Sequence, residues 1–369
     1  MYPALTVADR FANAPDEVLF VGTPNGLEAR LVPDAGVAFR GLPAAGFDRA
    51  RPWTLLTSSA RLAASTLVAW GWLGDKRPDV VIGFGGYVSI PVGLAAVLRG
   101  IPLVLHEQNS VPGLANKWLS QWARAVGVTY EESAARLAHP ERAIVTGNPV
   151  RPAVLAASRD VGREKLGLAA DAVVLLVFGG SRGARHLNSA IVGLRDRLLA
   201  IPALRVVHVA GAAEAESVRA ALAAAGGDDD GRWSVLDYLD DMGSALAASD
   251  LVVARAGATS IAEITALGLP AVLVPYPYAT DDHQTKNAGA MVAHGAAELV
   301  PDAELDDERF GDIVTALLSD PERRASMAAA SGALGRPDAA DRVAAIAREA
   351  AGVTAATERL DHKTKDRDV

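Results

Sequence analysis

The 369-residue chain contains no cysteine. That excludes a disulfide scaffold, a cysteine nucleophile and thiolate metal sites. It also lacks an excess of positive charge. The net charge is −8 and the pI is near 5.4, which argues against non-specific nucleic-acid binding. There is no long apolar run. The apolar helical stretch LAASTLVAWGWL at residues 62–73 carries no charge but is too short to span a bilayer. Met1 is followed by no basic segment and apolar core, and Asp9 and Arg10 come early, so no signal peptide is expected. These absences leave a soluble or membrane-peripheral chain.

What is there suits a large core, since 50% of the residues are hydrophobic and the length allows two domains. Short apolar runs alternate with helical patterns: EVLFVG, PDVVIGFGG, IPLVLHEQN, AVGVTY, AIVTGNP, AVVLLVFGG, RVVHVAG, DLVVARAG and PAVLVPYP. Continuous apolar strands of this kind belong in parallel sheets covered on both faces. The fold class is therefore α/β and doubly wound. The pattern restarts near residue 172, after the proline-bearing connector TGNPVRPAVLAASRD. The expected domains are 1–148 and 149–335, with a terminal helix over 336–351 and a charged, disordered tail over 352–369.

Five stretches could carry chemistry. In VVLLVFGGSRGARHLN a buried strand ends in Gly179-Gly180, then Ser181, Arg182 and Gly183, and a helix follows. Glycines let backbone approach a ligand, and a helix N-terminus offers free N–H groups, so this reads as a phosphate cradle. A plain glycine-rich turn is the bland reading. VVIGFGGYVSIP repeats the arrangement with Gly83, Gly85 and Gly86, and here cradle and turn are equal readings. LVLHEQNSVPGLANKW sets His106, Glu107, Gln108 and Asn109 directly after a strand, where α/β proteins bind ligands. His106 could be a general base or a diphosphate ligand; a capped turn competes for all four residues. RAGATSIAEITALG puts Glu263 near a helix start, as a local cap or as an acceptor for a ribose diol. DDHQTKNA at 281–288 adds polar groups after the next strand. The aspartates at 228–230 and 281–282 invite a metal reading, but the first run lies in a glycine-rich loop and reads as solvated, and no metal or cofactor is expected. Finally, residues 47–79 carry Trp53, Trp70 and Trp72 among leucines, with Arg49, Arg51, Arg61, Lys76 and Arg77 around them. This reads either as a core-facing helix or as a surface for anionic lipid.

Taken in order, GFGGYVS, LHEQN with PGLANKWL, TGNPVR, FGGSRGARHLN, and RAGATSIAEITALGLPAVLVPYP with DDHQTKNA resemble the MurG family of glycosyltransferases over about residues 2–350. The resemblance implies two Rossmann-like domains of the glycosyltransferase B type with an interdomain cleft. It implies inverting transfer of N-acetylglucosamine from UDP-N-acetylglucosamine to undecaprenyl-linked lipid I, giving lipid II. It implies work at the cytoplasmic face of the membrane, beside cell-wall synthesis proteins. Carried over residue by residue, Gly180, Ser181 and Gly183 hold the donor diphosphate, Glu263 the ribose, backbone near Leu239 the uracil, and Gln284 and His283 the sugar. The family often has glutamine where His283 stands. Arg151 and Asn188 also line the donor site. Gly85, Gly86, Tyr87, His106, Glu107, Asn109 and Asn116 face the acceptor, with His106 and Glu107 as catalytic candidates. The membrane patch falls on residues 49–77. The rival readings are a UDP-sugar 2-epimerase of the same fold, a transferase acting on another lipid, and a catalytically impaired UDP-sugar- and lipid-binding protein.

One departure concerns the start. MYPALTVADR reads as a helix with Pro3 in its first turn. The resembled family begins earlier, with a strand and a GGTGGH loop that carries a histidine. The register implies a start assigned too late, with Met1 in place of a valine. Loss of that interior strand would leave backbone groups unpaired on both neighbours.

Overall fold

The computed structural model describes residues 1–12, 16–43, 55–180, 185–228 and 230–352; at 55–58 it describes backbone only. The chain divides into two compact units, residues 1–149 with 338–369, and 150–337.

Unit 1 carries β1 (Leu19–Gly22), β2 (Ala38–Gly41), β3 (Val81–Gly83), β4 (Leu103–Glu107), β5 (Ala125–Val128) and β6 (Ala143–Val145). Its helices are α1 (Tyr2–Asp9), α2 (Glu28–Asp34), α3 (Leu55–Lys76), α4 (Ser89–Leu98) and α5 (Leu114–Leu119), closed by a returning helix near residue 350. The strands form two parallel sheets, β1-β2 and β3-β4-β5-β6, and no described strand joins them. β4 is the centre: LVLHE is buried at every position, which is why its sequence is apolar without alternation until it reaches His106 and Glu107.

Unit 2 carries β7 (Val173–Phe178), β8 (Leu204–Val209), β9 (Trp233–Leu236), β10 (Leu251–Ala254), β11 (Ala271–Leu273) and β12 (Ala297–Leu299). Around them lie α6 (Pro152–Leu155), α7 (Arg159–Lys165), α8 (Arg185–Gly193), α9 (Arg195–Leu199), α10 (Ala215–Ala224), α11 (Met242–Ala248), α12 (Ala258–Ala266), α13 (His283–Ala293), α14 (Glu308–Ser319) and α15 (Pro321–Leu334). The helix that returns to unit 1 is α16 (Ala339–Ala350). The six strands are all parallel, in the order β12-β11-β10-β7-β8-β9.

The pleat sorts each strand of unit 2 into two cores. Val174, Leu176 and Phe178 of β7 join Val252 and Ala254 of β10 on one face. Leu175 and Val177 join Leu251 and Val253 on the other. Successive side chains point to opposite faces, so a strand covered on both sides must be apolar throughout. Polar caps then set helix starts. Asp241 accepts from the Ser244 amide at 3.0 Å, and Asp320 from the Arg323 amide at 2.9 Å ahead of Pro321.

Three strands were not foreseen: β2, β9 and β12. Each is an edge strand, and each is short with polar or small residues among the apolar ones. An edge strand has one pairing neighbour and needs no unbroken apolar run.

Candidate functional site

In unit 2, the strand order reverses between β7 and β10. From β7 the chain winds outward to β8 and β9, and from β10 outward to β11 and β12. The crevice beyond the carboxyl ends of strands at such a switch point is where doubly wound sheets bind ligands. Four segments converge on these ends: Gly179–Gly180 after β7, Leu239 after β9, the 255–263 turn and helix after β10, and 276–284 after β11. Gly180 has φ of +73°, which a side chain would strain, and a Cβ there would meet open space. Ser181 and Gly183, the other expected cradle residues, lie outside the described residues.

Glu263 is not the local cap that its place near a helix start suggested. It sits in the second turn of α12, buried, and accepts from Arg151 Nε at 2.8 Å. That pair joins two expected donor residues 112 positions apart. Gln284 accepts the Tyr276 amide at 2.9 Å through Oε1, fixing the turn that leads into α13. His283 Nδ1 meets the Thr280 carbonyl at 2.6 Å. Ahead of them Asp281 and Asp282 both take left-handed backbone, with φ of 52° and 53°. Leu239 packs on the core beside Leu236 and Met242, so only its backbone is free to read a base.

Asn188 needs a correction. It was expected to line the donor site, but its side chain is buried and spent inside the unit. Nδ2 donates to the Ala210 carbonyl at 3.0 Å, and Oδ1 accepts from His208 Nε2 at 3.0 Å. It ties α8 to β8. His208 escaped sequence reading; burial pushes its pKa down to about 4, so it is neutral.

In unit 1, the HEQN stretch follows β4 as expected, but its two catalytic candidates are committed to structure. His106 is fully buried. Its Nε2 donates to the Gly147 carbonyl at 2.9 Å, and Nδ1 takes Gln108 Nε2 at 3.2 Å. Burial lowers its pKa to about 4. Both ring nitrogens are engaged, so the general-base role is withdrawn. Glu107 accepts four hydrogen bonds: Asn109 N at 2.9 Å and Nδ2 at 3.3 Å on one oxygen, Gly113 N at 3.0 Å and Asn116 Nδ2 at 2.8 Å on the other. It organises the 107–116 loop rather than facing an open site.

Within that loop Asn116 is only half satisfied. Asn116 Nδ2 bonds the His106 carbonyl and Glu107, while its Oδ1 is buried with no hydrogen-bond partner. Oδ1 lies by Gly85, which with Gly86 has φ of +77°. Tyr87 follows, more than half exposed. Gly85, Gly86, Tyr87, Asn109 and Asn116 thus gather at the carboxyl ends of β3 and β4. A hollow of about 650 Å³ opens elsewhere in unit 1, between the 23–26 turn and Arg61, Ser65 and Val68 of α3.

α3 buries one face and exposes the other. Ala69 and Leu73 face the core with Leu42, Ala95 and Ala96. On the outside, Leu67 is 70% exposed, with Val68 and Trp70 also exposed, and the Arg99 guanidinium lies 3.8 Å from the centroid of the Trp70 ring. Lys76 pairs with Glu17 at 2.7 Å. Trp53, Arg49 and Arg51 lie outside the described residues. Sequence reading missed an exposed aromatic pair, Trp118 and Trp122, edge-to-face at 4.9 Å beside exposed Leu114. Among the described residues no helix is long and apolar enough to cross a membrane, and no cluster of three His, Asp or Glu side chains could hold a metal.

Residues 1–128 match the glycosyltransferase family 28 N-terminal domain, and residues 174–343 match the family 28 C-terminal domain. A relative from Desulforudis audaxviator (strain MP104C), the UDP-N-acetylglucosamine--N-acetylmuramyl-(pentapeptide) pyrophosphoryl-undecaprenol N-acetylglucosamine transferase, is 42% identical over 356 residues and 95% of each chain. The crystal structure of Acinetobacter baumannii MurG is 29% identical, with a TM-score of 0.76 over 94% of this chain and 95% of that one. A UDP-GlcNAc 2-epimerase from Neisseria meningitidis, bound to UDP-GlcNAc, aligns with a TM-score of 0.60 over 93% of this chain and 94% of its own, but at 16% identity, a likeness of fold alone. The chain belongs to glycosyltransferase family 28 and, within it, to the MurG N-acetylglucosaminyltransferases.

Proposed function

We propose that this chain transfers N-acetylglucosamine from UDP-N-acetylglucosamine to the muramyl sugar of undecaprenyl-diphosphate-linked lipid I, giving lipid II. The observation that carries the reading is the convergence at the switch point of unit 2: an open glycine turn after β7 beside the Arg151–Glu263 pair and the Gln284 turn. A UDP-sugar fits this chemistry. Gly180, Ser181 and Gly183 take the diphosphate at the start of α8, where N–H groups and the helix dipole favour negative charge. Glu263, oriented by Arg151, accepts the ribose hydroxyls. Backbone at Leu239 reads the uracil, and His283 and Gln284 meet the sugar.

The acceptor hydroxyl attacks the anomeric carbon as the bond to the diphosphate breaks, and one in-line displacement inverts that centre. Charge grows on the leaving UDP, and the start of α8 is placed to stabilise it. In unit 1 the Gly85–Tyr87 turn, Asn109 and the orphan Asn116 carbonyl contact the acceptor, while His106 and Glu107 hold that loop in shape. The chain binds the cytoplasmic face of the membrane peripherally, through the outward face of α3 and the rest of residues 49–77. Trp118 and Trp122 extend that surface: Trp122 shares a hollow with Val97 and Ile101 at the end of α4, next to Arg99.

The test is UDP release with purified enzyme, with and without a lipid I analogue. Acceptor-dependent release with a polyprenyl-linked disaccharide as product supports the reading. Acceptor-independent formation of a free sugar would make it an epimerase, and donor binding without turnover would make it an impaired binding protein. Glu263→Gln should raise the donor KM about ten-fold or more, since it weakens a buried, charge-assisted pair of hydrogen bonds.

A further inference from the structure

A cluster of charged side chains next to the proposed donor site is used by nothing above. His186 lies in the first turn of α8. Its Nδ1 meets Asp302 Oδ2 at 2.9 Å, and its Nε2 meets Asp306 Oδ2 at 3.1 Å. The other oxygen of Asp302 is ion-paired with Arg255 at 2.6 Å. Arg255 is buried directly after β10. It donates to the Pro275 carbonyl after β11 at 3.2 Å, and its guanidinium lies 5.7 Å from the Tyr276 ring centroid. One chain of contacts therefore ties the start of α8 to the ends of β10, β11 and β12.

We propose that His186 is a positioning residue for the donor: held between Asp302 and Asp306, it fixes the first turn of α8 against Arg255, so that the diphosphate cradle and the loops after β10 and β11 share one geometry. This rests on the reading that the donor diphosphate binds at the end of β7.

Charge supports the geometry. With His186 protonated, two positive and two negative charges cancel across the cluster. With His186 neutral, the cluster carries a net negative charge beside a diphosphate that is itself negative, and donor binding weakens. Of the other charged neighbours, Asp307 and Glu308 follow Asp306 at the start of α14 and add negative charge on that side, while two further pairs are internally matched. Arg185 pairs with Glu214 at 3.0 Å ahead of α10, and Arg309 of α14 with Glu304 at 2.6 Å. Arg182 lies outside the described residues. The hydrogen bond to Asp302, then that to Asp306, raises the His186 pKa above its ordinary value, so its charge is lost only as pH rises above the usual histidine range.

The experiment is the donor KM and kcat of the full chain, with a lipid I analogue in excess, from pH 6.5 to 8.5. The wild-type donor KM should rise several-fold across this range with kcat little changed. His186→Gln should show a donor KM about five-fold higher at pH 6.5, the worth of one partly exposed charge interaction, and no further rise with pH. His186→Lys, charged throughout, should keep a low, pH-independent KM. A purely structural tie would not produce that split between the two variants. His186→Gln with the wild-type KM and pH profile overturns the proposal. Gly180→Val separates it from the reading beneath: a branched side chain in the cradle should raise donor KM, and an unchanged KM would overturn the site assignment and the proposal with it. A raised KM for Gly180→Val with a silent His186→Gln overturns the proposal alone.

Discussion

At the scale of single residues, two buried histidines set an acid limit on stability. His106 and His208 each have a pKa lowered by burial to about 4, from an ordinary value near 6.5. The unfolded chain takes up protons as pH falls below about 6.5, and the native chain does not until about 4. Their stabilising contribution is therefore complete above about 6.5 and is lost as pH falls through the window down to about 4, at up to about 3 kcal/mol per group. His208→Gln keeps a donor for Asn188 Oδ1 and removes the titration. Trp233, the one tryptophan of residues 150–337, stands 6.2 Å from the His208 ring and can report the unfolding of its unit. With 5-fluorotryptophan labelling, urea unfolding followed at Trp233 should show a wild-type midpoint that drops between pH 7 and 4.5. The drop should be clearly smaller in His208→Gln. Equal drops would mean that His208 is not among the groups responsible.

At the scale of elements, α3 shows why a strong signal can still admit two readings. Its apolar residues run all round the helix, so periodicity alone cannot say which face is covered. The structure assigns Ala69 and Leu73 to the core and leaves Leu67, Val68 and Trp70 outside. If that outer face meets lipid, Leu67→Asp should cut sedimentation with phosphatidylglycerol vesicles several-fold at unchanged thermal midpoint. Binding that is unaltered, or a midpoint lowered in step, would return the face to an ordinary surface. The interior strands and the glycine turns after β3 and β7 were legible because burial on both faces forces unbroken apolar runs, and positive φ favours glycine. The edge strands β2, β9 and β12 were not, since pairing on one side demands little of a sequence. Nor were the side-chain partnerships that tie distant segments of unit 2 together. Arg151 with Glu263, Asn188 with His208, and His186 with Asp302 join residues 112, 20 and 116 positions apart, and nothing local marks them. His106 and Glu107 were found as residues of interest, but not in their role. A polar run after a strand reads the same whether its side chains face a substrate or fold back on their own loop.

At the scale of the whole molecule, the chain leaves unit 1 at residue 149 and returns to it at 338. The sequence announces α16 as a terminal helix, and gives no sign of which sheet it covers. It covers unit 1: Ile346 and Ala350 pack with Val104 of β4 and Ile82 of β3, and Val343 packs with Val7 of α1 and with Phe84. Polar ties hold the same junction. Arg10 pairs with Asp341 at 2.7 Å, and Arg348 donates to the Arg10 carbonyl at 2.9 Å over the Phe11 ring. Burying one such aliphatic side chain is worth about 1.5–3 kcal/mol, and removing α16 strips several at once. That sum approaches the roughly 5–15 kcal/mol by which a domain is stable at all. Unit 2 has its own two cores and loses nothing from either. A chain ended after Pro337 should therefore lose hydrogen-exchange protection at the β4 amides while β7 and β10 keep theirs. Protection of β4 at the full-length level would show that unit 1 stands without the returning helix, and that α16 is an appendage rather than a wall of its core.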